Sequence, residues 1–180
     1  IIGLLVAGIT GGASLIKAAQ LRAVMAEARN YQITANAFLV KYDNLPGDYD
    51  TALGTAVAGD ADGTIEQDNG ATVYEGANAL VALYEADMGG LLAATTTNIP
   101  EAKIDTAGWI FGSRAEAKNV IALVGIAGIG GLNASIATDT TAVGVTGSQA
   151  FSIDRKMDDG TPGTGSVRTT LTASTNACVE

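Results

Sequence analysis

Residues 1–42 read IIGLLVAGITGGASLIKAAQLRAVMAEARNYQITANAFLVKY. The stretch from Ile1 to Ile16 carries no charge. As a helix it would span about 24 Å, slightly less than the hydrocarbon core of a bilayer. The chain opens without Met inside an apolar run, and the expectation is that a further apolar piece precedes Ile1 and would complete a membrane span. The segment also lacks the small-residue cleavage site of a secretory signal and runs directly into a strong helix pattern. From Ala13 to Leu45 there is no Gly or Pro, and Ala is abundant, which favours helix. Leu21, Val24, Ala28, Tyr31, Ala35, Phe38 and Tyr42 recur at alternating spacings of three and four, and so predict one apolar stripe. Gln20, Arg22, Glu27, Arg29, Asn36 and Lys41 occupy other faces. Residues 1–42 therefore predict a rod of roughly 63 Å. Its first part, apolar all round, needs lipid or other apolar helices. Its second part needs a domain packed on one side, and residues 43–180 supply it.

The chain has 180 residues, enough for one domain with a real core. It is 47% hydrophobic but only 5% aromatic, so its apolar content is mostly aliphatic, and its 23 glycines point to many turns. There is no histidine, which removes Ser-His-Asp and Cys-His nucleophiles and every His-ligated metal. The single cysteine, Cys178, permits no disulfide within the chain. Residues 1–42 hold Lys17, Arg22, Arg29 and Lys41 against Glu27, a net of +3; the chain's −9 then leaves −12 for the rest. An acidic head repels phosphate backbones, so nucleic acid is not an expected partner. Basic stalk and acidic head can attract one another between copies.

In the head, Leu45-Pro46-Gly47 predicts the exit from the first helix. Residues 59–66, GDADGTIE, place Asp60, Asp62, Gly63 and Ile65 at the internal spacing of a calcium loop, but Ala58 and Asn69 stand where its end carboxylates belong. Asp60 and Asp62 are thus candidate calcium ligands, with an acidic surface turn as the plainer alternative. Ala71 to Met88 predicts a second helix with Val73, Ala77, Leu80, Val81 and Tyr84 on its apolar face, stopped by Gly89-Gly90. Residues 91–100 read as an irregular connection. Trp109–Phe111 and Val120–Val124 are β-prone runs, with weaker candidates at Ser135–Val145 and Val167–Leu171. Asn119–Gly131, NVIALVGIAGIGG, imitates the entry to a dinucleotide site, but the third glycine of the motif is missing and no amphipathic helix follows; a hairpin turn is the better reading. Residues 148–157 predict a short helix stopped by Gly160 and Pro162, and Asp154, Asp158 and Asp159 cluster at its end. Dense Thr near 95–97, 138–141 and 169–175 suits strands, and also exposed O-glycosylation. The fold class is α+β: a long helix, hydrophobic then amphipathic, packed against a globular head with a small antiparallel sheet.

The arrangement resembles the type IV pilins and the pseudopilins of type II secretion. IIGLLVAGI is similar to the second half of their N-terminal methylation segment, FLVKYDNLPGDY (Phe38–Tyr49) to the helix exit of a bacterial subgroup, and AFSIDRKMDDGTPGTGSVR (Ala150–Arg168) to that subgroup's C-terminal motif. These matches cover the first quarter of the chain and a block near its end. The prepilin cleavage site with its nearby acidic residue, and the paired cysteines of many pilins, have no counterpart in these 180 residues. The resemblance implies a structural protein and not an enzyme, with no catalytic residue and no organic cofactor. It implies an inner-membrane precursor, drawn by a pilus or type II secretion machinery into an extracellular helical homopolymer on a bacterial surface. Ile1, Ile2, Leu4, Leu5, Val6, Gly8, Ile9, Gly12, Leu15 and Ile16 are the candidate polymer contacts. The spacing of Gly8 and Gly12 lets helices approach closely. Related pseudopilins carry calcium in the C-terminal region, which makes Asp158 and Asp159 candidate ligands. A minor pseudopilin of such a machine shares the same rod. A single-span anchored binding domain is the reading from another class; it predicts a flexible polar linker after the anchor, where this sequence continues as amphipathic helix. Adhesion, motility, DNA uptake and secretion all use such subunits.

Gly11 and Gly12 each weaken the rod by roughly 1 kcal/mol relative to Ala. Any bending or melting of the rod in a polymer is expected there, and a straight, continuous helix through Gly11 in an assembled filament would refute this.

Overall fold

A computed structural model describes residues 2–65, 75–92, 99–104, 107–114, 117–125, 144–161 and 163–168, with side chains from residue 12 onward except at 114, 117 and 118. Its elements run α1 (Ile2–Tyr42), α2 (Glu75–Glu85), β1 (Ala107–Arg114), β2 (Ala117–Gly125) and α3 (Gly147–Met157). The fold is α+β, with a long N-terminal helix, two shorter helices and a two-stranded antiparallel sheet.

The predicted rod forms as one helix of 41 residues, about 62 Å long at 1.5 Å per residue. It ends at Tyr42, where Asp43 takes a left-handed φ of 60° and donates its N–H to the Leu39 carbonyl at 2.8 Å. The chain then turns sharply at Gly47, whose φ is +91° and whose missing Cβ leaves room for the Glu75 carbonyl. This close approach starts α2 beside the helix exit.

The expected stripe is the face of α1 that packs. Val24 and Phe38 are fully buried, and Leu21, Ala28, Tyr31, Ala35 and Tyr42 pack as half-buried neighbours. Around Phe38 gather Leu80 and Leu83 of α2 and Phe111 of β1; around Val24 and Met25 gather Trp109, Ile104 and Ile153 of α3. Tyr31 belongs to both groups. Its ring stands 5.7 Å from Trp109 and meets Phe111 edge-on at 5.9 Å. Burial and the nearby Glu27 charge push its phenol pKa up.

Both β-prone runs lie inside strands. They pair antiparallel, with Trp109 opposite Leu123 and Phe111 opposite Ile121, and the register slips between Ser113 and Arg114. Alternation sends Trp109, Phe111, Ile121 and Leu123 toward α1. Ile110, Val120, Ala122 and Val124 face the other way, onto Ile99 and Ala77. The connection before β1 bonds to it: Trp109 donates its backbone N–H to the Pro100 carbonyl at 2.9 Å.

Several expectations need correction. Glu27, which the helix pattern sets off the apolar stripe, is half-buried and ties the rod to the head; its Oε2 accepts both Trp109 Nε1–H and Lys103 N–H at 3.1 Å. α2 ends at Glu85 and not at Met88, because the chain leaves the helical region at Asp87, φ 63°, before Gly89 and Gly90. Tyr84, expected on its apolar face, is 47% exposed. Residues 144–145 and 167–168 are not strand. Residues 71–74, with Val73, lie outside the described residues, as do the remainder of the two weaker strand candidates, the Gly-rich run after Gly125, Pro162 and Cys178.

Replacing Glu27 by Ala leaves the indole N–H and the Lys103 amide without their acceptor. A loss of about 1–3 kcal/mol in unfolding free energy is expected. Glu27→Gln keeps an acceptor, so thermal melts should separate the two variants.

Candidate functional site

Two acidic clusters form among the described residues, each with carboxylate oxygens mutually within 4.8 Å: Asp48, Asp60 and Glu75, and Asp154, Asp158 and Asp159. Sequence reading paired Asp60 with Asp62, but the fold brings Asp60 to Asp48 and Glu75. Asp62 turns its Oδ1 onto the Thr64 N–H at 2.7 Å, closing a local turn.

Asp48 and Glu75 are fully buried. Asp48 follows the Pro-Gly exit of α1, and Glu75 opens α2, so the two meet where rod and head join. Asp48 Oδ1 accepts the Asp62 N–H at 3.1 Å and Oδ2 accepts the Gly63 N–H at 3.0 Å. Glu75 Oε1 accepts the Asp60 N–H at 3.3 Å. Burial pushes the Asp48 pKa up, opposed by the two backbone N–H groups and reinforced by the charges of Asp62 and Asp60. These acids act as acceptors for a loop that has no ladder of its own. On the solvent side Glu85 does similar work. Its Oε1 takes the Thr55 hydroxyl at 2.6 Å and the Thr55 N–H at 2.9 Å, and these bonds hold its pKa down.

The second cluster is built differently. Thr146 caps α3 through a reciprocal capping box with Gln149. The helix ends at Met157, and Asp158 donates its N–H to the Asp154 carbonyl at 2.7 Å. The chain then folds back over the helix end. Asp159 Oδ1 accepts the Thr161 N–H at 2.7 Å and Oδ2 accepts the Thr164 hydroxyl at 2.6 Å. Asp158 Oδ2 accepts the N–H groups of Ser166 and of Val167, the latter at 3.0 Å. Gly165, with φ +71°, passes so close to the Asp158 carboxylate that a Cβ would collide with it. The result is a clasp of three aspartates organising residues 158–168.

Asp154 is the buried member, 3% exposed. Its Oδ1 accepts the Gly160 N–H at 3.3 Å, while its Oδ2 is buried with no hydrogen-bond partner among the described residues. Burial raises its pKa, countered by the Gly160 N–H and reinforced by the charges of Asp159 and Asp158. The hydroxyl of Thr164, then the N–H of Thr161, hold the Asp159 pKa down. An orphaned carboxylate oxygen costs free energy, and like charges beside it add to that cost. A proton on Asp154 relieves both. So does a hard divalent cation, which takes carboxylate oxygens as ligands. Asp154, Asp158 and Asp159 therefore fit calcium by charge and donor type. The C-terminal motif points to Asp158 and Asp159 as ligands, and the fold adds Asp154 to them. The spacing of four between Asp154 and Asp158, one helical turn, is the signal that points to it.

Of the expected polymer contacts, Gly12, Leu15 and Ile16 fall among the residues with described side chains. Gly12 has open space where a Cβ would stand, and Leu15 and Ile16 are 72% and 62% exposed. The side chains of Ile1, Ile2, Leu4, Leu5, Val6, Gly8 and Ile9 lie outside the described residues. Among the described residues, no helix is long and apolar enough to cross a membrane.

With divalent ions chelated, Asp154 makes the head less stable as pH rises from the ordinary carboxylate range through its raised pKa, because the folded state binds the proton more tightly. At neutral pH, calcium bound at this cluster is expected to take the place of that proton. At a hundredfold excess over its Kd it adds about 2.7 kcal/mol, read as a higher Tm. Asp154→Asn should lose both the pH limb and the calcium response; an unchanged calcium response in that variant would remove Asp154 from the ligand set.

No protein-family model, curated protein or solved structure matches the chain.

Proposed function

We propose that this chain is the structural subunit of an extracellular helical filament of the type IV pilus kind, polymerising through the N-terminal part of α1. The observation that carries the reading is the division of one unbroken helix. From Leu21 to Tyr42 a single stripe is buried against the head, while residues 13–17 are all exposed, Leu15 and Ile16 among them. Exposed apolar side chains such as Leu15 and Ile16 need a partner, and the sequence continues the uncharged run back to Ile1, more than four helical turns in all. Equivalent helices of other copies meet it by bundling, with small residues at Gly8 and Gly12 allowing close approach.

The remaining features follow from this assignment. The acidic head faces outward and keeps the filament soluble. The precursor resides in the inner membrane before the assembly machinery extracts it. Calcium held by Asp154, Asp158 and Asp159 pins the C-terminal loop, in a head that has no disulfide to do so. The chain has no enzymatic role, and nucleic acid is not its partner. The absence of a linker between rod and head, α1 running directly into the packed stripe, disfavours an anchored binding domain.

Electron microscopy of the purified native material should show long helical filaments of this chain alone, with residues 1–16 at the axis. Leu15→Glu together with Ile16→Glu should abolish the filaments while leaving the melting of the head unchanged, because both side chains are exposed. A detergent-dependent monomer in the native preparation would overturn the reading.

A further inference from the structure

The face of α1 opposite the head has its own pattern. Ala26, Ile33 and Val40 follow one another at spacings of seven, and Arg22 and Arg29 repeat the same spacing beside them. At about 3.6 residues per turn these five lie on the far side of the helix from Val24, Tyr31 and Phe38. All five are exposed, Ile33 at 66% and Val40 at 87%. Neither arginine has an ion-pair partner among the described residues. A face that joins uncovered branched aliphatic residues to two unpaired guanidiniums calls for a partner that is anionic and also offers apolar surface.

We infer that this far face of α1 docks onto the acidic head of a second copy of the chain, with Arg22 and Arg29 pairing with its carboxylates while Ile33 and Val40 are covered. The inference rests on the filament reading and adds a second contact to it, beyond the apolar end of the rod. Charge complementarity identifies the occupant. Residues 1–42 carry +3 and the rest of the chain −12, and Asp50, Asp62, Asp87 and Glu101 are exposed on the head. A second α1 alone is a poorer occupant, since it would bring cations against cations. An anionic membrane is poorer still: Val40 lies 23 residues beyond Lys17, about 35 Å along the helix, out of reach of a bilayer that holds the apolar end. Arginine suits the role because its planar fork binds carboxylates through two parallel hydrogen bonds.

The experiment is reassembly of the full-length chain from detergent, followed by sedimentation and electron microscopy across a salt series. Three proteins are compared: the parent, Arg22→Glu with Arg29→Glu, and Arg22→Lys with Arg29→Lys. All substituted positions are exposed, and equal melting temperatures would confirm intact heads. The parent should need at least tenfold more protein to assemble at about 0.5 M salt than at about 0.05 M, as the screening length shortens. The glutamate pair should fail to form ordered filaments at any salt, and the lysine pair should retain most assembly. Filaments from the glutamate pair equal to those of the parent would overturn the inference and leave the filament reading standing. A parent that stays monomeric at low salt would overturn both. Loss of binding to phosphatidylserine vesicles in the glutamate pair, with assembly unchanged, would assign the face to lipid and equally overturn the inference.

Discussion

The contact on which the rest of the head depends is the burial of one stripe of α1, from Leu21 to Tyr42. Val24 and Phe38 are almost entirely removed from solvent, and Tyr31 joins the groups around them by touching both Trp109 and Phe111. A two-stranded hairpin is marginal in water on its own, and an 11-residue helix such as α2 or α3 is too short to hold its shape unaided. Each gains what it lacks from the rod. β1 and β2 cover their apolar face with α1, α2 closes over Phe38, and α3 sets Ile153 beside Val24. The long helix is thus both the projection and the central support of the core.

Buried acceptors organise what the core does not. The segment from Asp48 to Ile65 contains no helix or paired strand beyond an isolated bridge between Leu53 and Ala56, so its amides need side-chain partners. Asp48, Glu75 and Glu85 supply them. Asn78 does the same from α2, accepting the Val57 N–H at 2.8 Å and donating to the Val57 carbonyl. Glu27 is the version of this device on the rod. Carboxylates suit the task because each can accept several N–H bonds, and the cost is that Asp48 is held away from its ordinary ionisation. At the end of α3 the balance differs: one oxygen of Asp154 receives no hydrogen bond among the described residues. That difference separates a clasp completed by the backbone from one suited to a cation.

The far face of the rod is mixed in character. A helix that merely supported a monomeric head would carry mainly polar residues there, whereas here Ala26, Ile33 and Val40 stand exposed among Arg22, Arg29 and Asn36. Head packing uses one side of α1 from Leu21 to Tyr42 and leaves the far side exposed; in the proposed filament, that side and the apolar end meet other copies. A filament subunit needs this division, because every copy must keep its own fold while its helix is surrounded by its neighbours.

Much of this architecture was legible from local pattern. The 3.6-residue period disclosed α1 and its buried stripe, the Pro-Gly pair marked the exit, β-branched and aromatic runs located the centres of both strands, and the Asp-rich end of α3 stood out. These signals are legible because helix and strand periods are properties of a few consecutive residues. The role of Glu27 was not, since its partners Lys103 and Trp109 lie far along the chain. Nor was the meeting of Asp48, Asp60 and Glu75, or the orphaned oxygen of Asp154. Tyr84 shows the same limit in reverse: its helical position matched the apolar face, yet its side chain is left 47% exposed. The sequence alone determined which segments form a rod and which form a head, because hydrophobic periodicity is local. Only the tertiary structure decided which carboxylates converge, which are satisfied and which face of the rod stays open, because these depend on where residues distant in sequence are carried by the path of the chain.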